Sequence, residues 1–407
     1  MLLLCANVLN FPIIGQRCKS IVSRCFARTQ MEDRAIITNI TKKLESALVT
    51  WYGQGAILRS RHPSLRTYPV SFFLVYEICA QGKTYGILVK IPRKREMQTL
   101  DEAIAASHTP EGAARLPDTQ HEFAMLHAVQ AMVKTMDTAL FDAVRPLAYW
   151  SQWNALVMEE LPSVSLETLV GRRAMRWGAQ GAWKQFETIM ARAGVWLRHF
   201  HDTEGEITPV LFDSEAFSAR IARKLSQFPD PVRVMHLQGV FDAVVHPLEG
   251  SMAQKAQVHN DFYLRNIVWT NMDKVAVFDL DRQVDDLVFH DLAMFITELI
   301  GQRAKLLKLG FLLPLHRLEA SVDAFLHAYF GTDDAYPPFL YLYNALGYLT
   351  WWQWYEARFA STSRIQRVIT WLPQIWLRNF FSQELTRALA RAQSLLVAST
   401  QVRGRNA

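Results

Sequence analysis

"VHNDFYLRNIVW", residues 258–269, is an apolar stretch that carries four polar side chains at tight spacing: His259, Asp261, Arg265 and Asn266. Apolar segments rarely hold such groups unless something hydrogen-bonds to them, because a buried unsatisfied polar group costs about 1–3 kcal/mol. Asp279 follows thirteen residues after Asn266, inside "VAVFDLDRQ" (275–283). The pieces "NIVW" and "KVAVFDL" have the length and β-branched content of a two-stranded ribbon. A hairpin of that length brings Asn266 and Asp279 side by side. An amide oxygen and a carboxylate facing one space are hard ligands, the kind that hold magnesium together with substrate phosphates. Asp261, five residues before Asn266, lies near enough to receive the proton of a hydroxyl beside such an ion.

The rest of the chain bounds this reading. Its 407 residues are half hydrophobic and one fifth charged, which is the composition of a globular chain of two or three domains or subdomains. The formal charge of +6 is a mild excess. It carries no zinc-finger spacing or other nucleic-acid signature, so nucleic acid is not an expected partner. Cys5, Cys18, Cys25 and Cys79 provide neither a disulfide framework nor a zinc site, so a reducing, cytoplasmic setting is expected. No window of about 18 uncharged apolar residues occurs, so no transmembrane segment is expected. Residues 1–30 have no acid before Glu32, and their apolar run precedes the basic residues, the reverse of a secretory signal. They read as a poorly ordered extension.

Residues 34–51 have the spacing of a short amphipathic helix. "AILRSRH", "PVSFFLVYEICA" and "TYGILVKI" then read as three strands. "PRKREMQTLDEAIAASHTPEGAARLPDT" reads as a long surface loop, charged and punctuated by Pro and Gly. "QHEFAMLHAVQAMVKTM" returns to helical spacing, and "AVRPLAYW" and "NALVMEEL" are two more strands. After about residue 160 the pattern is mostly helical, from "AWKQFETIMARAGVWLRHFHD" to "IWLRNFFSQELTRALARAQSLLV".

Residues 258–293 resemble the catalytic core of the aminoglycoside phosphotransferase branch of protein-kinase-like enzymes, which includes choline kinases. "FDLDR" also resembles bacterial lipopolysaccharide sugar kinases of the same fold. His259-x-Asp261-x4-Asn266 follows the kinase pattern His-Arg-Asp-x4-Asn except at Asn260, which nothing in the sequence explains. Asp279-Leu280-Asp281 stands where the branch has Asp-Phe/Leu-Asp/Glu, and Asp291-Leu292-Ala293 is a further typical feature.

The resemblance implies an α+β, bilobal protein-kinase-like fold. The N-lobe (31–158) would be a five-stranded antiparallel sheet with one helix. The C-lobe (159–407) would be larger and mainly helical, with the catalytic loop at 258–266, the metal motif at 277–282 and acceptor-binding helices over 283–407. Asp261 would be the catalytic residue. Asn266 and Asp279 would hold Mg2+, and His259, Arg265, Asp281 and Asp291 would support them. Lys90 in "YGILVKI", paired with Glu122 in "QHEFAMLHAV", would hold ATP. "ALVMEELPSVSLETLV" resembles the hinge of the family and would place Glu159 and Leu161 against the nucleotide.

Several residues keep two readings. Asp281 is either a support or a second metal ligand. Arg265 either neutralises the transferring phosphoryl group or pairs with Asp281 or Asp285. The glycine-free connection "LRSRHPSLRTYP" offers Arg59, Arg61 and Arg66 either to phosphate or to solvent. His199 and His201 read as packing residues at a helix end. Trp351, Trp352 and Trp354 are core or a substrate wall.

The implied activity is an ATP-dependent kinase acting on the hydroxyl of a small molecule. A pseudokinase scaffold is the competitor, but such chains usually lose the lysine, the base or a metal ligand, and all are present here. A protein kinase is weakened by "DLD" in place of a glycine-ended motif and by the lack of an Ala-Pro-Glu segment. The chain beyond residue 282 is not acidic, so polycationic aminoglycosides are disfavoured as acceptors. A sugar or lipid-linked glycan is favoured. The last helix combines Trp371, Trp376, Phe380 and Phe381 with Arg378, Arg387 and Arg391. It is either packed on its lobe or laid on an anionic bilayer as a peripheral contact at the inner membrane surface.

Overall fold

The computed structural model describes residues 19–114, 116–204, 207–228, 230–280, 283–332, 336–360 and 364–405. The chain forms two compact units. One comprises the chain up to Ala124 together with Arg145–Glu160, and the other comprises Met125–Val144 and the chain from Leu161 onward. The expectation for residues 1–18 lies outside the described residues, and residues 19–30 form the first turns of a helix.

The N-terminal unit contains α1 (Lys19–Tyr52), β1 (Ile57–Leu58), β2 (Ser64–Thr67), β3 (Ser71–Ala80), β4 (Lys83–Pro92), α2 (Leu100–Ser107), α3 (Pro110–Ala113), the start of α4 (Thr119–Thr135), β5 (Pro146–Trp150) and β6 (Ala155–Glu160). Its antiparallel sheet has the order β1-β3-β4-β6-β5, with β2 also paired to β3. Gln81 and Gly82, at φ 50° and 73°, close the β3–β4 hairpin. Two left-handed residues match the twist of the flanking strands. Ile40, Leu44 and Leu48 form a single stripe on α1 and bury against the alternating apolar residues of β3 and β4.

Two local expectations change here. The stretch after β4, read as a loop, contains α2 and α3. Thr99 and Glu102 form a reciprocal capping box that starts α2, and Leu100, Ala103 and Ile104 bury against the sheet core. The charge and Pro/Gly content outweighed a Thr-x-x-Glu signature that was present in the sequence. The sheet also gains a sixth strand, β2, taken from the basic connection, and all four of its residues are exposed.

The C-terminal unit continues with β7 (Ser163–Ser165), α5 (Leu166–Val170), α6 (Arg173–Arg176), α7 (Gln180–Glu204), β8 (Thr208–Leu211), α8 (Ser214–Leu225), α9 (Pro231–Val245), β9 (Met252–Val258), β10 (Ile267–Thr270), β11 (Val275–Val277), β12 (Val284–Leu287), α10 (Phe289–Gly301), α11 (Leu315–Phe330), α12 (Pro338–Ala360) and α13 (Arg364–Arg405). The expected ribbon is β10–β11, joined by β7 as a third strand. A second small sheet has the order β12-β9-β8. α7 and α11 pack so closely that a Cβ on Gly194 would fall 2.2 Å from the Phe325 carbonyl oxygen. This is the α+β protein-kinase-like fold, with an antiparallel sheet in one unit and helices dominating the other.

α13 lies against α12, with Leu377, Phe380 and Phe381 buried. Arg378 forks onto Glu356 at 2.6 and 2.7 Å, Arg387 bonds Glu384 at 3.1 Å, and the Arg391 guanidinium lies 5.0 Å from the Tyr341 ring centre. Of the two readings of this helix, the one observed is a packed terminal helix. The Trp371 side chain lies outside the described residues. Among the described residues no helix is long and apolar enough to cross a membrane.

Candidate active site

The loop between β9 and β10 is assembled by hydrogen bonds from one buried element, α10. Asp291 Oδ2 accepts the backbone N–H of His259 at 2.6 Å, and Asp291 Oδ1 accepts that of Asn260 at 2.8 Å. Two turns further along the same helix face, Glu298 Oε2 accepts the N–H of Leu264 at 2.6 Å. From the other side, the N–H of Glu167 donates to the Leu264 carbonyl at 3.0 Å. Both carboxylates are buried, but their environments differ. Burial pushes the Glu298 carboxyl up to about 7, despite the Leu264 N–H. Burial also works against the Asp291 anion, but the hydrogen bond and charge of His201 outweigh it and hold that carboxyl below the usual range.

His201 is wholly buried. It bonds Asp291 Oδ2 through Nε2 at 3.0 Å and Tyr329 Oη through Nδ1 at 2.8 Å. The reading of His201 as a helix-end packing residue is thus right about its burial and silent on its partner. His259 is equally buried. Its Nδ1 accepts the N–H of Asp261 at 3.3 Å, so the proton sits on Nε2, which donates to the Phe278 carbonyl at 3.1 Å. The ring therefore ties the loop to the end of the ribbon.

Asn260 has a φ of +62°. That left-handed conformation suits glycine or asparagine and disfavours most side chains. The departure from the kinase pattern at this position, unexplained by the sequence, has this backbone reason.

Asp261 is 4% exposed. Its carboxylate accepts Arg265 Nη2 at 2.8 and 2.9 Å and Asn266 Nδ2 at 2.9 Å. Asn266 Nδ2 also donates to the Asp261 backbone oxygen at 2.9 Å, which turns the amide oxygen of Asn266 the opposite way. The ribbon pairs Ile267 with Val277, and the N–H of Phe278 donates to the Asn266 carbonyl at 2.9 Å. Asp279 is the next residue and holds a φ of +64°, a strained conformation of the sort retained at functional sites. The sequence expectation that Asn266 and Asp279 come from neighbouring ribbon ends agrees with this register.

Arg265 bonds Asp261, four residues earlier, a partner outside those expected, and the Asp285 alternative is replaced by a bond from Lys255 to Asp285 at 3.2 Å. Burial opposes the Arg265 charge, but Asp261 more than compensates and raises its pKa further. Asp281 lies outside the described residues. Trp352 is core, Trp354 is exposed, and the Trp351 ring lies 6.2 Å from that of Tyr263.

In the N-terminal unit, Lys90 sits on the central strand β4, between Phe73 of β3 and Leu156 of β6. Its ammonium bonds both Glu122 carboxylate oxygens at 2.8 Å, and both residues are buried. Such a pair is costly to split, because removal of one partner strands a buried charge. Glu159 on β6 spends its side chain within this unit, accepting Tyr52 Oη at 3.0 Å and Arg145 at 3.4 Å. The Leu161 carbonyl accepts Ser163 Oγ at 2.9 Å. Arg59, Arg61 and Arg66 each reach a carboxylate, at 3.1, 2.8 and 3.5 Å.

Among the described residues, no three His, Cys, Asp or Glu side chains cluster to hold a metal by themselves. The amide oxygen of Asn266 and the carboxylate of Asp279 suit a cation that takes its remaining ligands from substrate oxygens and water, as magnesium does. The residues present fit that ion. Asp291 was named in the sequence as a support of the loop, and its carboxylate holds that loop's backbone. Glu298 was missed, although its spacing of seven from Asp291 places it on the same helix face.

A model of the phosphotransferase enzyme family (APH) matches residues 106–342. Among solved structures, a glucosamine kinase in complex with glucosamine, ADP and inorganic phosphate is 16% identical. It covers 86% of this chain and 87% of its own, at a TM-score of 0.53. A choline/ethanolamine kinase family protein from Mesorhizobium loti is 16% identical over 87% of this chain and 99% of its own, at a TM-score of 0.43. The choline kinase LicA from Streptococcus pneumoniae is 13% identical over 86% and 99%, at 0.41. No curated protein matches the chain. The family match spans more than half of the chain, and the chain belongs to the phosphotransferase enzyme family.

Proposed function

We propose that this phosphotransferase moves the γ-phosphoryl group of ATP to a hydroxyl of a sugar or of a lipid-linked glycan. The observation that carries the reading is the buried Asp261 carboxylate, fixed by Arg265 and Asn266 beside the ribbon ends that present Asn266 and Asp279. The ADP held by the glucosamine kinase of similar fold supports a nucleoside triphosphate as donor. The lipid part has only the half-exposed Trp376 of α13 behind it, since Phe380 and Phe381 pack inward.

Lys90, steadied by Glu122, binds the nucleotide phosphates, and the main chain at Glu159 and Leu161 faces the base. Asn266 and Asp279 hold the magnesium ion, which when bound neutralises phosphate charge. Asp261 orients the acceptor hydroxyl. As the acceptor oxygen forms its bond to the γ-phosphorus, the bond from that phosphorus to the β,γ-bridging oxygen breaks. ADP leaves with the electron pair, and the hydroxyl proton passes to the Asp261 carboxylate. Little covalent work falls to Asp261, so its task is chiefly positioning, with the proton taken late. His259 and Asp291 hold the loop in place.

Replacing a positioned general base costs typically 10²–10⁴-fold in rate. Asp261→Ala is expected to lose about that much ATP-dependent phosphorylation while nucleotide binding persists, and Asp279→Ala to lose metal-dependent nucleotide binding. A panel of sugars, glycolipids and amino alcohols assayed for ATP consumption checks both. Near-normal rates in Asp261→Ala would remove the assigned base. Zero turnover by the unaltered chain with nucleotide bound would favour a pseudokinase scaffold.

A further inference from the structure

A cavity of about 190 Å3 in the C-terminal unit lies against the catalytic loop. Asn260 and Tyr263, on either side of Asp261 in sequence, line it together with Arg220 and Lys224 of α8, His290 of α10 and Tyr343 of α12. It is small beside the ~300–1,000 Å3 of pockets that take drug-sized ligands, and it suits a compact polar group.

The charges around this cavity do not cancel. Asp286 accepts Arg220 Nη1 at 2.9 Å and Tyr343 Oη at 2.8 Å. Arg220 Nη2 also donates to His290 Nδ1 at 3.3 Å. Burial lowers the His290 pKa against the pull of Asp291 and Asp286, so the ring is neutral and its Nδ1 accepts. Its 3.4 Å approach to Asp286 is therefore not an ion pair. One arginine thus answers one aspartate, and Lys224 is the surplus cation. Lys224 is half-buried and lies one turn from Arg220 on the same face of α8. Its charged neighbours are Arg220 and Arg223, and burial with their repulsion lowers its pKa. Among the described residues no carboxylate lies within ion-pair reach of its ammonium. A half-buried ammonium among guanidinium groups is relieved by an anion and repels a second cation.

We infer that the acceptor is an anionic alcohol, whose carboxylate or phosphate group sits on Lys224 in this cavity while its hydroxyl reaches Asp261. The inference rests on the phosphotransferase reading of the same site and narrows it to one substrate charge class. An amino sugar or amino alcohol would meet Lys224 with like charge.

The test is calorimetric titration of the full chain with gluconate, glucose 6-phosphate, glucose and glucosamine, with ATP consumption followed in parallel. Gluconate or glucose 6-phosphate is expected to bind at least tenfold tighter than glucose, with glucosamine weakest, and the better of the two anions separates a carboxylate from a phosphate handle. Lys224→Gln should bring that anion to the level of glucose, and Lys224→Arg, which keeps the charge, should preserve the preference if the fold is intact. The inference fails if glucose or glucosamine binds as tightly as the anions, if neither anion binds, or if Lys224→Gln leaves anion binding unchanged. ATP consumption with the neutral or cationic sugar would then keep the phosphotransferase reading alive. Selective anion binding that Lys224→Gln abolishes, with no ATP consumed under any condition, has the opposite meaning: the charge class holds and the transfer reading fails.

Discussion

The loop at 259–266 and the connection at 59–67 are alike in composition, both short, polar and set between strands, yet they are built in opposite ways. In the first, His259, Asp261 and Asn266 are buried, and the backbone is held by Asp291, Glu298 and the N–H of Glu167. In the second, Arg59, Arg61 and Arg66 reach their carboxylates with side chains 64%, 78% and 51% exposed. Water and salt screen the exposed pairs, which contribute about 0–1 kcal/mol each. A buried carboxylate that accepts backbone N–H groups has no solvent to replace it. Charge density in a sequence therefore says little about its importance until burial is known.

Substitutions in three places would break or sharpen this contrast. The largest effect is expected at Asp291. Asp291→Asn presents an N–H group to backbone donors and removes the charge that His201 meets, at a cost on the order of 3–5 kcal/mol. Denaturant unfolding would measure it, and a loss below about 1 kcal/mol would mean that the loop is not pinned by this residue.

Glu298 comes next, with a definite pH signature. Its folded pKa of about 7 lies above the ordinary 4.5, so the folded state binds the proton more tightly than the unfolded chain does. The folded state is then penalised as pH rises from about 4.5 to 7, and the penalty is complete above that. At ~1.4 kcal/mol per unit this amounts to about 3 kcal/mol. Glu298→Gln keeps an acceptor for the Leu264 N–H and cannot ionise. Its stability should match the unaltered protein near pH 4.5 and exceed it by up to about 3 kcal/mol at pH 8. Parallel pH–stability curves for the two proteins would show that burial does not penalise this carboxylate.

The smallest effect is expected in the exposed connection. Arg59→Ala, Arg61→Ala and Arg66→Ala should each change stability by no more than about 0.5 kcal/mol. A rise of tenfold or more in the KM for ATP in any of them would instead assign that arginine to phosphate.

Several features were legible because their signals are local. The ribbon was read from "NIVW" and "KVAVFDL", and β10 and β11 are paired in the register that sets Asn266 beside Phe278 and Asp279. Lys90 and Glu122 were paired by the resemblance to protein-kinase-like enzymes and form a buried pair. The misses were of two kinds. α2 was hidden by Pro/Gly punctuation although its capping box was in view. Glu298 and the Asp261 partner of Arg265 were missed because nothing local distinguishes one glutamate on an amphipathic helix, or one aspartate among several near an arginine.

The order and spacing of His259, Asp261, Asn266 and Asp279 belong to the sequence itself, because a ribbon of that length and hard-oxygen donors at its ends follow from strand geometry and side-chain chemistry. Which groups hold them belongs to the tertiary structure. Asp291 meets His201 across ninety residues, Glu298 meets Leu264 across thirty-four, and Asp286 of β12 is committed to Arg220 of α8 and Tyr343 of α12 rather than to Lys224. Partners so distant in the chain are selected by burial, which removes water as the alternative partner and leaves each charge to whatever the packing brings beside it.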